Sequence, residues 1–218
     1  MSGARMNGPM MLAPLALLMV GGCVNLGAGK APAQLYTLSA TAHAPGGAQN
    51  VARPGTALVI AEPDTDRSLA SARMVVQVTP TSIAYLKDAW WVERPARLLR
   101  NLMAEDLRAS GTRPVELDED SGVGGTRLTG RLLAMGYDAQ THAAVIRYDA
   151  VVADGKGGVN TRRFEVSQPG VSATGPEVAQ ALNVAANTLA GQVAQWVDQV
   201  SPATPVTTGP VPQTAPRP

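Results

Sequence analysis

Apolar residues recur along the chain in two periods, and the switch between them marks the elements. Leu99, Leu102, Met103 and Leu107 share one face at 3.6-residue spacing, with Arg97, Arg100 and Glu105 placed largely elsewhere. This predicts a helix from Glu93 to Ser110, with Pro95 tolerated in the first turn and Gly111 as its stop. A second stripe, Val178, Leu182, Ala185, Leu189, Val193, Trp196 and Val200, steps by three or four and predicts a helix from about Pro176 to Val200. Thr174 and Glu177 have the spacing of a capping box at its start, and Pro202 prevents continuation.

Elsewhere the period is two. Leu128, Leu132 and Ala134 alternate with polar positions between Arg127 and Tyr137, and Ala144, Ile146, Tyr148, Ala150 and Val152 alternate in the next segment. Phe164 and Val166 alternate with Arg163 and Glu165. These three segments read as an antiparallel meander with one covered face. Its turns are Asp138–His142 and Asp154–Gly158, the second rich in glycine. Thr56–Ala61 and Arg73–Thr79 are further strands, closed by Pro63 and Pro80, and Pro114–Leu117 forms a short one. The order of elements predicts a single α+β domain over residues 55–200, a mostly antiparallel sheet with two helices packed on one face.

The flanks have a different character. Residues 201–218 are rich in Pro and Thr and are expected to be extended and disordered. Residues 23–54 are rich in Gly, Ala and Pro and read as a tether, within which Gln34–Leu38 has the pattern of a short strand docked on the domain. Before them, Met10–Val20 is an apolar run shorter than the about 20 residues a spanning helix needs. Arg5 precedes it and Gly21-Gly22-Cys23 follows, so residues 1–22 read as a lipoprotein signal peptide with Cys23 as the lipid attachment site. Cys23 is the chain's one cysteine; lipidation would remove an otherwise unpaired exported thiol. Stable anchoring takes more than one acyl chain, which a triacylated cysteine supplies.

Composition narrows the functions. Formal net charge is +1, and removing Arg5 with the leader leaves none, so no electrostatic reason to bind nucleic acid exists. The two histidines, His43 and His142, fall in the tether and in a turn. Neither position gathers the groups that a metal site or a catalytic triad requires. Glu116–Asp120 lacks the spacing of a calcium loop, and Asp154–Gly158 lacks that of a phosphate loop. No enzyme motif and no cofactor site is expected. Aromatics make up only 4% of the chain, yet Tyr85, Trp90 and Trp91 stand together just before the first helix. They are the candidate partner-binding residues, because Trp and Tyr concentrate at interfaces. Core packing of one or more of these rings against the first helix is the other reading, and both can hold, because adjacent Trp90 and Trp91 cannot easily face the same way.

A family resemblance rests on several of these residues. Leu69-Ala-Ser-Ala-Arg73, Ile83-Ala-Tyr-Leu86 and Trp91-Val-Glu-Arg-Pro95 with Leu98-Leu99 resemble the auxiliary lipoproteins of ABC-type lipid transport systems. So do Tyr36-Thr-Leu38, Arg163-Phe164, Ala181-Leu182-Asn183 and Gln195-Trp196-Val197. The similarity spans most of Leu35 to Val200 and includes the paraquat-inducible C lipoproteins. One departure is Ser71-Ala72, where an aspartate commonly precedes the arginine, which leaves an ion pair at Arg73 open. The resemblance implies a non-catalytic lipoprotein facing the periplasm. Its partner would be an MCE-domain transporter protein and its membrane contact the lipid anchor; homo-oligomers are compatible. Val24 follows the lipidated cysteine, which favours outer-membrane delivery. The alternative is an assembly or pilot lipoprotein of another envelope machine.

Overall fold

Thirteen-residue strand Thr126–Asp138 (β7) organises the sheet. The computed structural model describes residues 34–47, 56–118 and 125–202. Cys23 and the residues expected to form a signal peptide, like nearly all of the Pro/Thr-rich tail, lie outside the described residues. Along one side of β7 runs Ala143–Ala153 (β8), antiparallel over its full length, and beyond it Val159–Pro169 (β9), also antiparallel. The other side of β7 is lined in succession by Leu58–Ile60 (β2), Asp64–Thr65 (β3) and Arg73–Thr79 (β4), all parallel to it. Val115–Leu117 (β6) extends β2 in parallel. Ser82–Trp91 (β5) pairs antiparallel with β4, and Leu35–Tyr36 (β1) adds in parallel to β5.

The sheet is therefore mixed, which corrects the expectation of a mostly antiparallel one. The long ladders of the meander are antiparallel as its turns require. The short strands β2, β3 and β4 have no hairpin linking them to β7. The chain between them passes through helix Pro95–Ser110 (α1), and a crossover of that length permits parallel pairing. The helices also depart from two equal covers on one sheet face. Gly175–Val200 (α2) lies on β8 and β9, whereas α1 packs chiefly against α2 and meets the sheet mainly at β6.

Periodicity placed most of the core. Ala144, Ile146, Tyr148, Ala150 and Val152 are all buried, as are Phe164 and Val166. Val178, Leu182, Ala185, Leu189, Val193 and Trp196 bury the α2 stripe, and Phe164 meets Trp196 edge to face, centroids 5.6 Å apart. In β7 the phase changes. A register shift between Leu132 and Ala134 puts one extra residue, Leu133, into the strand, so Met135 and Tyr137 face inward where Ala134 was expected. Burying each large aliphatic in this cluster contributes about 2 kcal/mol.

Three details of the helices differ from their sequence patterns. Arg100 is buried, with its Nε and a terminal nitrogen donating to Asn101 Oδ1 at 3.2 Å. The Thr174–Glu177 capping box does not close; Glu177 instead accepts the Ser172 N–H at 3.2 Å. Arg113, buried beyond α1, donates to the Ser201 carbonyl and to Asp198 Oδ1, covering the negative end of α2. Gly111 ends α1 as expected, at φ 65° with its N–H on the Arg108 carbonyl.

The segment after β1 is strapped onto the helices. Tyr36, Leu38 and Ala40 pack inward at every second position. Asn187 of α2 reads the strap's backbone from both sides, accepting from Thr41 N–H at 2.7 Å and donating to the Ser39 carbonyl at 2.9 Å. Asn183, one turn earlier, accepts from Ser39 N–H at 2.7 Å. Gly175 leaves room for Tyr36, whose hydroxyl would lie 2.8 Å from a Cβ at that position.

Candidate partner-binding face

Strand β5 carries the site, and its irregular pairing makes it. Arg73 of β4 stands opposite Trp90, but Val75, two residues on, stands opposite Tyr85. Leu86–Ala89 are thus set against Met74 alone and bulge from the ladder, with Asp88 at φ 52°. Removing those four residues from the register brings Tyr85 and Trp90 close to one arginine. The Arg73 guanidinium carbon lies 4.3 Å from the Tyr85 ring centroid and 5.4 Å from that of Trp90. The Tyr85 hydroxyl donates to the Ser68 carbonyl at 3.4 Å. Cation–π contacts of this sort contribute about 0.5–1 kcal/mol each at partly exposed sites.

Successive strand residues point to opposite faces, and the two tryptophans divide accordingly. Trp91 is 2% exposed and belongs to the core, while Trp90 is 37% exposed. Pairing with β1 carries the division outward: Leu35 stands opposite Trp90, and Tyr36 opposite Trp91. Val92 N–H donates to the Tyr36 carbonyl at 2.8 Å, which fixes the chain just after Trp90. Leu35 and Val92 are each 52% exposed, so Trp90 sits between two uncovered aliphatics. Of the three sequence candidates, the structure brings Tyr85 and Trp90 together around Arg73 and turns Trp91 away from them. Leu35 and Val92 were missed because their exposure depends on β1 joining β5, a long-range pairing. The bulge was equally hidden, since Tyr85–Trp90 shows no alternation to betray a strand.

Other chemistry-bearing groups are dispersed. The Tyr137 hydroxyl and His142 Nδ1 are 3.0 Å apart in the β7–β8 turn, and His43 lies 3.6 Å from Glu105. Among the described residues no group of three or more His, Cys, Asp or Glu side chains is arranged to hold a metal. A cavity of about 110 Å³ between β4, β5, β7 and β8 is lined by Val75, Ile83, Leu133 and Arg147 among others. Across β8 and β9, Arg147 pairs with Glu165 and Arg163 with Asp149, each at 2.6 Å. Hydrogen bonds from those arginines hold both carboxyls below their ordinary range, against a smaller opposing effect of desolvation. Burial pushes Asp106 up, and likewise the Tyr148 hydroxyl, which donates to the Thr129 carbonyl at 2.8 Å.

Residues 36–194 match the family described as the ABC-type transport auxiliary lipoprotein component, a span that includes β5, α1 and most of α2. The chain belongs to this family. Among solved structures, the auxiliary lipoprotein is similar to a DUF330-family protein from Xanthomonas campestris, at 21% identity and TM-score 0.62. That match covers 75% of this chain and 94% of the other. A second solved protein matches at 14% identity and TM-score 0.57, covering 75% and 99%. More distantly, PelC from Paraburkholderia phytofirmans, solved as a dodecamer, is 14% identical with TM-score 0.39, covering 71% and 95%. No curated protein matches. At these identities the structural likenesses speak for the fold alone.

Proposed function

We propose that this auxiliary lipoprotein is a non-catalytic, membrane-anchored component of an MCE/ABC-type system that moves lipid between membranes. Triacylated Cys23 holds it in the envelope, at the periplasmic face of the outer membrane. The uncovered surface at Trp90, flanked by Leu35, Val92 and Tyr85, docks the MCE-domain protein. The energy for transport comes from a separate ATPase.

The observation that carries this reading is the exposure of Trp90 within a chain that belongs to a transport auxiliary family. A tryptophan left one-third open between two exposed aliphatics, beside an arginine, has the composition of an interface centre. The test is crosslinking in intact cells, purification of the full chain and identification of what is attached. Recovery of an MCE-domain protein supports the reading. Recovery of a different envelope machine, such as a secretion channel, overturns it. Cys23→Ser, in parallel, should abolish palmitate labelling; a variant that still labels would remove the anchor from the proposal.

A further inference from the structure

The geometry points to Arg73 as a receptor for a carboxylate: docking on the Trp90 surface, the partner protein inserts an Asp or Glu side chain between its own apolar contacts. This rests on the reading of that surface as the docking face and names the chemistry it selects. Arg73 is half-buried, its guanidinium lying over the rings of Tyr85 and Trp90. Among the described residues its side chain makes no ion pair and no hydrogen bond. A guanidinium has five donors, and the rings engage its π-face without accepting from them. Glu62 and Glu93 already have arginine partners of their own. Glu62 lies 3.1 Å from Arg94 and 3.2 Å from Arg97, and Glu93 lies 3.2 Å from Arg97.

Two rings fix the guanidinium before any partner arrives, so little side-chain entropy remains to be lost on binding. A planar, immobilised fork of donors matches a carboxylate in two-pronged geometry. Leu35, Trp90 and Val92 around it would shield that pair from water and strengthen it. A membrane of anionic lipid is the less suited occupant. Lys87 and Asp88 of the bulge beside Arg73, both exposed, cancel and leave Arg73 as a single positive charge, where attraction to such a membrane takes a cluster of several.

The experiment places a photocrosslinking phenylalanine analogue at Val92 in the full-length chain, in cells, and maps the attached peptide by mass spectrometry. The expected peptide comes from a partner protein and contains an Asp or Glu. Arg73→Glu should lower the crosslink at least tenfold, Arg73→Lys less so, and changing the mapped acidic residue to Arg should restore it in the Arg73→Glu background. Arg73→Lys should melt close to the wild type, and Arg73→Glu, which gives up both ring contacts, somewhat lower while still folding cooperatively. Restoration with a partner that is not an MCE protein would uphold the carboxylate receptor and reject the MCE assignment. An MCE crosslink indifferent to Arg73→Glu would do the reverse. A crosslink to lipid or to a second copy of this chain, or none, would overturn the inference.

Discussion

Trp90 and Trp91 are neighbours in sequence with opposite surroundings, and that contrast makes sharp predictions. Trp91→Ala should remove about 3–5 kcal/mol of stability, because it empties a large site in the common core. Trp91→Phe should cost much less than Trp91→Ala. The indole Nε1 is buried and has no acceptor among the described residues, so its loss sacrifices no hydrogen bond. Chemical denaturation of the two variants measures the difference; equal losses would show that the nitrogen is paired after all. That the two tryptophans part company was legible from their adjacency; that they stand on a strand was not. The arginine between Tyr85 and Trp90 was not, because it depends on four residues leaving the β5 ladder, and no local pattern encodes which residue they leave behind.

At the scale of elements, α2 binds the molecule together, with its stripe on the sheet and α1, and its Asn183 and Asn187 on the strap. Leu189→Asp places a charge at a fully buried position and should cost about 3 kcal/mol or more, whereas Gln192→Asp, exposed, should be mild. Melting temperatures that coincide would reject the assigned face. Asn187→Ala removes both backbone contacts to the strap and should expose the segment around Ser39 to protease while the domain stays folded. The β8–β9 pairs give a pH signature. Their carboxyl pKa values are lowered in the fold, so the stability they contribute is present above the unfolded-state values and lost as pH falls through the folded ones, below roughly pH 4. Since the pairs are exposed, the loss should be slight, and Asp149→Asn with Glu165→Gln should flatten that part of the acid titration. A steeper titration in the double variant would contradict the sign. Both helices and the meander could be read from periodicity, because each buries one face continuously. The runs holding β2 and β4 could be read as strands as well, but their parallel pairing with β7 could not, because it depends on the crossover through α1, and two-residue β3 carries no period at all.

For the whole molecule, β1 decides how the domain can sit. Leu35 lies twelve residues beyond Cys23, a span of roughly 40 Å at full extension. Because Leu35 lies beside Trp90, an anchor at Cys23 would keep the docking face within that distance of the membrane. The domain would be a short-leashed adaptor rather than a freely ranging one, and the surface that meets the partner would be the one nearest its anchor.

The most direct test of this arrangement compares two variants of the native, full-length lipoprotein, Trp90→Ala and Trp91→Ala, each scored for melting temperature and for capture of the MCE-domain protein from crosslinked cells. Trp90→Ala should stay folded, melting only modestly below the wild type for the loss of its Arg73 contact, and lose about 2 kcal/mol of binding, roughly a thirtyfold weakening. Trp91→Ala should melt well below it. If Trp90→Ala stays folded and captures the MCE protein as well as the wild type does, the Trp90 surface is not where this lipoprotein joins its transport system.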